Sequence, residues 1–374
     1  MSKQTLLIYD SSESNPDLLY ATRFFAPDVF LYLRTAGRGF MYVGDLEVDR
    51  AREEAHVNRV ISFSDVIEKV RAQKGNRYSA ADLIDSILRQ RRIRHVTLPG
   101  NAPVALVEGL KKRRYAVRIK ALPFFEKRII KTPKEIRQIR RVAAVAESAM
   151  GEAIRIIAAA RIKGRTLWYQ GRVLTAEYIK SVVASIAALH DCNAGRTIVA
   201  CGKDTAFPHK EGKGPLRPHE PIILDIFPRS QSTGFYADMS RTVVRGKASE
   251  TIQRMYRAVL RAQRDAVRNI HSGADGKVLY EKVCGYFVTK GFRTAVQKGR
   301  FSGFFHSLGH GVGLELHETV RLDRRSYILK SGMVVTVEPG LYYPEPGGVR
   351  IEDMVLVTRT GCRPLTRAPK MLEL

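Results

Sequence analysis

Acidic residues stand inside stretches of this chain that otherwise read as buried β-strand. Asp225 interrupts Ile222-Ile223-Leu224-Asp225-Ile226-Phe227, Glu338 closes Val334-Val335-Thr336-Val337-Glu338, and Glu352 sits in Val349-Arg350-Ile351-Glu352-Asp353-Met354-Val355-Leu356-Val357. A fourth acid, Asp238, follows the first run in Gly234-Phe235-Tyr236-Ala237-Asp238-Met239-Ser240-Arg241-Thr242-Val243-Val244. An ionised carboxylate in apolar surroundings costs on the order of several kcal/mol even after relaxation, so it needs a partner or a metal. One such residue is compatible with a salt-bridged core acid. Four of them, with His310 between the two pairs, point to a metal cluster.

At 374 residues the chain exceeds the usual single-domain size, so two domains are expected. Its four cysteines, Cys192, Cys201, Cys284 and Cys362, lack CxxC spacing, which argues against a zinc ribbon and a disulfide framework. The apolar run near the N-terminus is too short for a signal sequence, and no stretch approaches the ~20 apolar residues that span a bilayer. The expectation is a cytoplasmic protein with no membrane partner.

Charge is the unusual quantity: 63 Lys+Arg against 37 Asp+Glu, a formal net charge of +26. Basic residues cluster at Arg89-Gln90-Arg91-Arg92-Ile93-Arg94 and at Lys111-Lys112-Arg113-Arg114. Such an excess favours loose, non-specific association with nucleic acid. No zinc finger, RNP motif or pattern of stacking aromatics accompanies it, so a dedicated nucleic-acid domain is not indicated.

Short apolar runs alternate with amphipathic segments over residues 1–128. Val29–Leu33, Phe40–Val43 and His95–Leu98 read as strands, and Ala81–Arg91 and Val104–Lys112 as helices. The alternation predicts a small α/β domain with a partly parallel sheet. Thr132-Pro133-Lys134-Glu135 is a helix start with a capping box, and apolar residues then recur every three or four positions from Ile136 to Ile157. This helix opens a second domain, 129–374. Further helices are expected from about Thr175 and over about Ser249–Ile270. The carboxylate-bearing strands flank the latter, which fits an α+β fold: a largely antiparallel sheet with helices on one face.

Hard oxygen donors plus one imidazole suit manganese, cobalt, zinc or iron better than a thiolate-preferring metal. Two ions about 3.5–4 Å apart explain why so many acids share one site. Asp225 and Asp238 flank an apparent hairpin, and their odd separation permits a register that sets them directly opposite on one face. The glycine-rich segment Phe305-His306-Ser307-Leu308-Gly309-His310-Gly311-Val312-Gly313-Leu314-Glu315-Leu316-His317-Glu318 allows close backbone approach. It lacks the second histidine of HExxH and fails the dinucleotide fingerprint. His306 alone is more often a satisfied structural histidine.

The order Asp225, Asp238, His310, Glu338, Glu352 resembles the five-ligand set of the pita-bread metallopeptidases: methionine aminopeptidases, prolidases and aminopeptidase P. Asn15-Pro16-Asp17-Leu18-Leu19-Tyr20 and Ile130-Lys131-Thr132-Pro133-Lys134-Glu135-Ile136 resemble the N-terminal domain and junction of the creatinase, prolidase and aminopeptidase P branch. The resemblance implies a pita-bread catalytic domain behind a creatinase-type α/β domain. It also implies two divalent ions (manganese foremost), a homodimer, and cleavage between an N-terminal residue and proline through a metal-bridging hydroxide. Within that likeness Asp225 chelates one ion, Asp238 and Glu352 bridge both, and His310 and Glu338 hold the other, with Glu338 also shuttling a proton. His209 and His317 align with family histidines near the scissile carbonyl, and Arg350 with an arginine behind the ligands; His306 is a further candidate for substrate binding.

Two segments depart from the family pattern. The Asp225–Asp238 connection is two residues longer than usual, an addition that preserves pairing parity. Lys210-Glu211-Gly212-Lys213-Gly214-Pro215, after His209, also differs. Other readings are a hydrolase of a different amide-like bond, or a non-catalytic pita-bread module that binds RNA or ribosomes.

Overall fold

A computed structural model describes residues 4–297 and 299–374, in two compact units, Met1–Arg128 and Ile129–Leu374. Met1–Lys3, the start of the N-terminal segment judged above, lie outside the described residues.

In the first unit, strands β1 (Leu6–Asp10), β2 (Phe30–Thr35), β3 (Arg38–Val43), β4 (Arg59–Ser62), β5 (His95–Pro99) and β6 (Ala116–Lys120) form one sheet in the order β4-β3-β2-β1-β5-β6. The β3–β4, β1–β5 and β5–β6 pairs are parallel, and β1–β2 and β2–β3 antiparallel. Alternation along the strands sends Leu7, Leu31, Leu33, Val96 and Leu98 to one core and Ile8, Phe30, Tyr32 and Met41 to another, so both sheet faces are covered. Helices α1 (Pro16–Thr22), α2 (Asp45–Glu54), α3 (Ser64–Lys74), α4 (Ala80–Gln90) and α5 (Val104–Lys112) supply those covers. The expected strands and helices lie within a residue or two of their observed bounds.

The second unit opens with α6 (Pro133–Ala159), and its capping box forms as the sequence requires. Thr132 Oγ1 accepts from Glu135 N at 3.3 Å while the Glu135 carboxylate accepts from Thr132 N at 2.9 Å. Helix α7 (Ala176–Leu189) is capped by Thr175, and α8 (Glu250–Arg268) by Ser249. Helix α9 (Gly276–Thr289) was not anticipated, since its periodicity is weak. Two antiparallel sheets carry the site. One runs β7 (Ile198–Cys201), β8 (Ile222–Ile226), β9 (Met239–Val243). The other contains β10 (Gly309–Gly311), β11 (Glu318–Leu322), β12 (Val334–Val337), β15 (Asp353–Val357) and β16 (Cys362–Pro364), in the order β11-β10-β12-β15-β16. Hairpin strands β13 (Gly340–Tyr343) and β14 (Gly347–Arg350) lie between β12 and β15 in sequence. Residues from α8, α9 and the second sheet share one apolar cluster, including Val259, Phe287, Val335 and Val355.

Two expectations need correction. Asp225 pairs across the ladder with Ser240, so Asp238 stands two positions further along, diagonal to Asp225 on the same face rather than directly opposite. The run Val349–Val357 is not one strand either. It breaks after Arg350, and Glu352 sits in the break with its N–H donating to Ser240 O at 3.0 Å. Among the described residues no helix is long and apolar enough to cross a membrane. Thr132→Ala should lower stability by about 1 kcal/mol, the usual cost of losing such a cap, read as a reduced urea midpoint.

Candidate active site

Strand ends, rather than strand middles, carry most of the acids. Asp225 lies within β8, Asp238 immediately precedes β9, Glu338 follows β12, and Glu352 precedes β15. Backbone groups at such breaks are freed from the ladder and the side chains can converge. His310 comes from β10, whose N–H donates to Thr336 Oγ1 on β12 at 3.1 Å. Gly309 is pressed so closely on Thr336 O that a Cβ there would collide with backbone, so glycine is required beside the histidine. Gly313 likewise packs on the Glu318 carboxylate. Glu318 is buried and paired with Lys131 Nζ at 2.5 Å, and it accepts from Leu314 N at 3.2 Å. This pair anchors the segment that presents His317.

All nine residues expected from the sequence line one cavity of about 470 Å³: His209, Asp225, Asp238, His306, His310, His317, Glu338, Arg350 and Glu352. Asp238, His310 and Glu352 each offer a donor atom within 4.8 Å of the others. His310 Nδ1 donates to Gly311 O at 3.1 Å, which leaves the Nε2 lone pair facing Asp238 Oδ2 at 3.5 Å and Glu338 Oε1 at 3.6 Å. Burial, then His317, pushes the His310 imidazole down to about 3, so these contacts are not ion pairs at neutral pH. A lone pair facing two carboxylates is repulsive unless a cation lies among them.

The acids show the same deficit. Burial, then the charges of Glu352 and other acids, holds Asp238 and Glu338 well above the usual carboxylate range. Burial, then Asp225, raises Glu352 to about 8. Asp225 Oδ1 and Glu352 Oε1 are buried with no hydrogen-bond partner, whereas buried polar atoms are nearly always satisfied. Their other oxygens are occupied: Arg350 Nη2 donates to Asp225 Oδ2 at 2.7 Å, and Ser240 Oγ donates to Glu352 Oε2 at 2.9 Å. The donor set therefore fits divalent metal.

Arg350 organises the rear of the site. Besides Asp225 it donates to Ser240 Oγ (2.9 Å), Pro208 O (3.2 Å) and the Tyr342 hydroxyl (3.0 Å). The Tyr342 hydroxyl donates in turn to His306 Nε2 at 3.0 Å, while His306 Nδ1 donates to Ser307 O at 2.7 Å. Both His306 nitrogens are thus engaged within the protein, and burial drives its imidazole down to about 3. In this arrangement His306 lines the cavity and braces Tyr342, which in turn meets Arg350. His209 and His317 are exposed in the cavity wall, and the His317 ring meets His310 edge-on at 4.2 Å.

Both departing segments are secured. Asp191 accepts from Ser232 N (3.2 Å) and Ser230 Oγ (3.2 Å) in the longer connection, and Tyr236 N donates to Gly313 O at 2.8 Å. After His209, Val199 N donates to Glu211 O at 2.9 Å and Lys180 Nζ to Gly212 O at 2.8 Å. Sequence reasoning assigned no role to Tyr342, Ser240 or Arg321. Ser240 lies in the acid-bearing segment quoted above, two residues after Asp238, and Tyr342 follows Glu338 by four residues. Arg321, across β10–β11 from His310, lines the cavity and carries no local motif.

Comparison with known proteins agrees with this geometry. Metallopeptidase family M24 matches residues 137–359. The Xaa-Pro dipeptidase of Pyrococcus horikoshii is 30% identical over 344 residues, covering 91% of this chain and 87% of its own. The crystal structure of the prolidase from Pyrococcus horikoshii OT3 superposes with a TM-score of 0.79 at 28% identity, over 99% of this chain and 95% of that one. An Xaa-Pro dipeptidase from Bacillus anthracis shares the fold with a TM-score of 0.82, covering 100% of this chain and 95% of its own at 24% identity. The fold is that of a pita-bread peptidase, and its family implies divalent metal. The chain belongs to metallopeptidase family M24.

A pH effect follows for metal-free protein. An unfolded glutamate titrates near ~4.3, against about 8 for Glu352 in the fold. Between those values the folded state binds more protons, so its stability is full below the lower value and declines as pH rises through the upper one. In chelator the urea midpoint should fall from about pH 5 to about pH 9, and divalent ions added at about pH 8 should restore it. A flat or rising midpoint contradicts the crowding described here.

Proposed function

We propose that the protein is an Xaa-Pro dipeptidase with two divalent ions held by Asp225, Asp238, His310, Glu338 and Glu352. The observation that carries this is the pair of unpartnered buried oxygens on Asp225 and Glu352 within a four-carboxylate cluster whose principal buried cation is Arg350. One guanidinium against four carboxylates leaves three negative charges, which two dications would more than offset. Manganese is the first metal to test, because the donors are mostly hard oxygens with no thiolate among them. Such ions, when bound, supply Lewis acidity toward a carbonyl and a water acidified to the neutral range.

The chain's own groups then have distinct tasks. Glu338 takes a proton from water as its oxygen bonds to the scissile carbonyl carbon, and returns that proton to the proline nitrogen as the C–N bond breaks. His317 and His209, in the cavity wall, donate toward the carbonyl oxygen as negative charge develops there. Arg350 holds Asp225 in its rotamer, with Tyr342 and His306 behind it.

Arg321 favours dipeptides over longer chains. Its half-buried side chain lines the cavity without an ion pair or side-chain hydrogen bond among the described residues. A proline α-carboxylate is the complementary group, and a longer peptide has none at that position. The four free cysteines are consistent with a reducing, cytoplasmic setting, and a homodimer is proposed from the family resemblance.

The test is hydrolysis of Ala-Pro and Ala-Pro-Ala by metal-stripped protein, with and without added manganese or cobalt. Metal-restored cleavage in wild type and its loss in Asp238→Ala are expected. Bound metal without turnover of either peptide would overturn the substrate assignment. Arg321→Gln should raise KM for Ala-Pro by about ten- to a hundredfold, the size of one charge-assisted hydrogen bond, with kcat little changed.

A further inference from the structure

Every strand of the N-terminal sheet except β1 brings an arginine to the same end of the ladder. β4 starts at Arg59 and β3 at Arg38, while Arg34 is the penultimate residue of β2. β5 is preceded by Arg92 and Arg94, and β6 is preceded by Arg114 and carries Arg118. The register sets two of them level: Arg34 pairs with Leu6 and Gly39, Leu6 with Thr97, and Thr97 with Arg118. All seven side chains are exposed, and none forms an ion pair among the described residues.

Acids of α4 and α5 are already engaged. Asp82 is held by Lys74 and Arg113, Asp85 pairs with Arg89 at 2.9 Å, and Glu108 pairs with Lys111 at 3.0 Å. Helix-dipole compensation accounts for Arg89, Lys111 and Lys112 in the last turns of α4 and α5, but not for arginines on strand ends. Elsewhere many surface arginines are neutralised locally, as in Arg155–Glu152, Arg196–Glu211 and Arg261–Asp265. Arg91, Arg92, Arg94 and Arg118 also line a groove of about 780 Å³ at this edge.

We propose that this sheet edge binds the phosphodiester backbone of duplex nucleic acid without reading sequence. Six strands about 4.8 Å apart make this end of the sheet ~24 Å wide, with Arg34 and Arg118 on one face and Arg38 and Arg59 on the other, so the cations straddle the strand ends. Arginine supplies planar forks suited to phosphate. No exposed Phe, Tyr or Trp stands in these strand-end segments, so unstacked single-stranded bases find no platform there. The contact is purely electrostatic and independent of the peptidase site.

The test is fluorescence anisotropy of a labelled 20-base-pair DNA duplex with the full-length protein across salt concentrations. About four neutralised phosphates give a log–log salt slope of about −4, or a loss of affinity of roughly two orders of magnitude between 50 and 200 mM salt. The variant Arg34→Gln/Arg38→Gln/Arg94→Gln/Arg118→Gln should lose most of that slope. A charge-matched control, Arg254→Gln/Arg257→Gln/Arg359→Gln/Arg363→Gln, should keep it. Thermal unfolding midpoints of both variants should match wild type. No duplex binding by wild type at 50 mM salt overturns the proposal, as does equal loss in the two variants, which would mean diffuse charge only. Displacement of the duplex by polyglutamate more readily than by unlabelled duplex would also overturn it.

Discussion

Four buried or half-buried carboxylates crowd one cleft, and mutual repulsion is the force the catalytic unit must restrain. Asp225, Asp238, Glu338 and Glu352 line a single cavity with one imidazole whose lone pair also faces acid. Arg350 removes only part of that repulsion, through Asp225. The remaining restraint is mechanical. Each acid is fixed by a strand or strand end, and the strands are locked by ladders, by the tight approach of Gly309 to Thr336, and by the fully buried Arg241. Arg241 donates to Glu352 O at 2.6 Å and to Asp353 Oδ1 at 2.8 Å, so the backbone carrying Glu352 is held from behind. A scaffold that holds like charges together in low dielectric is a scaffold with high affinity for cations.

The same logic explains why the histidines differ although their sequence surroundings look alike. His310 and His306 lie four residues apart in one glycine-rich segment. His310 donates its Nδ1 proton to its own backbone neighbourhood and leaves Nε2 open toward the acids. His306 also donates through Nδ1, but its Nε2 is taken by Tyr342, which links it to Arg350 and Asp225. One imidazole is therefore available to a metal and the other stiffens the arginine. His317, outside the buried network and edge-on to His310, remains open to the cavity.

Cationic charge is distributed in two different ways. In the catalytic unit three arginines are used singly at the site, Arg350 behind Asp225, Arg241 behind Glu352, and Arg321 in the cavity wall, while others pair with acids on the surface. In the N-terminal unit seven arginines stand at one end of a sheet, exposed and in no ion pair among the described residues. The large net charge thus has a spatial order that a composition figure does not convey.

Local features were legible in the chain alone because short-range chemistry decides them. Thr132, Pro133 and Glu135 specify a helix start through capping, and the 3.6-residue spacing after them specifies its buried face. Asp225 within an apolar run, and the ordered set through Glu352, already required a cation site, since no isolated acid survives burial unpaired. What the tertiary structure decided depends on contacts between distant segments. The diagonal offset of Asp238 from Asp225 follows from a register that alternation constrains only to within two residues. The break at Glu352 arises because its N–H pairs with Ser240, more than a hundred positions away. The bracing role of His306 and the place of Arg321 in the cavity wall exist only once β10, β11 and the Tyr342 hairpin are assembled. Periodicity says which face a side chain takes, and only packing says which partner it meets there.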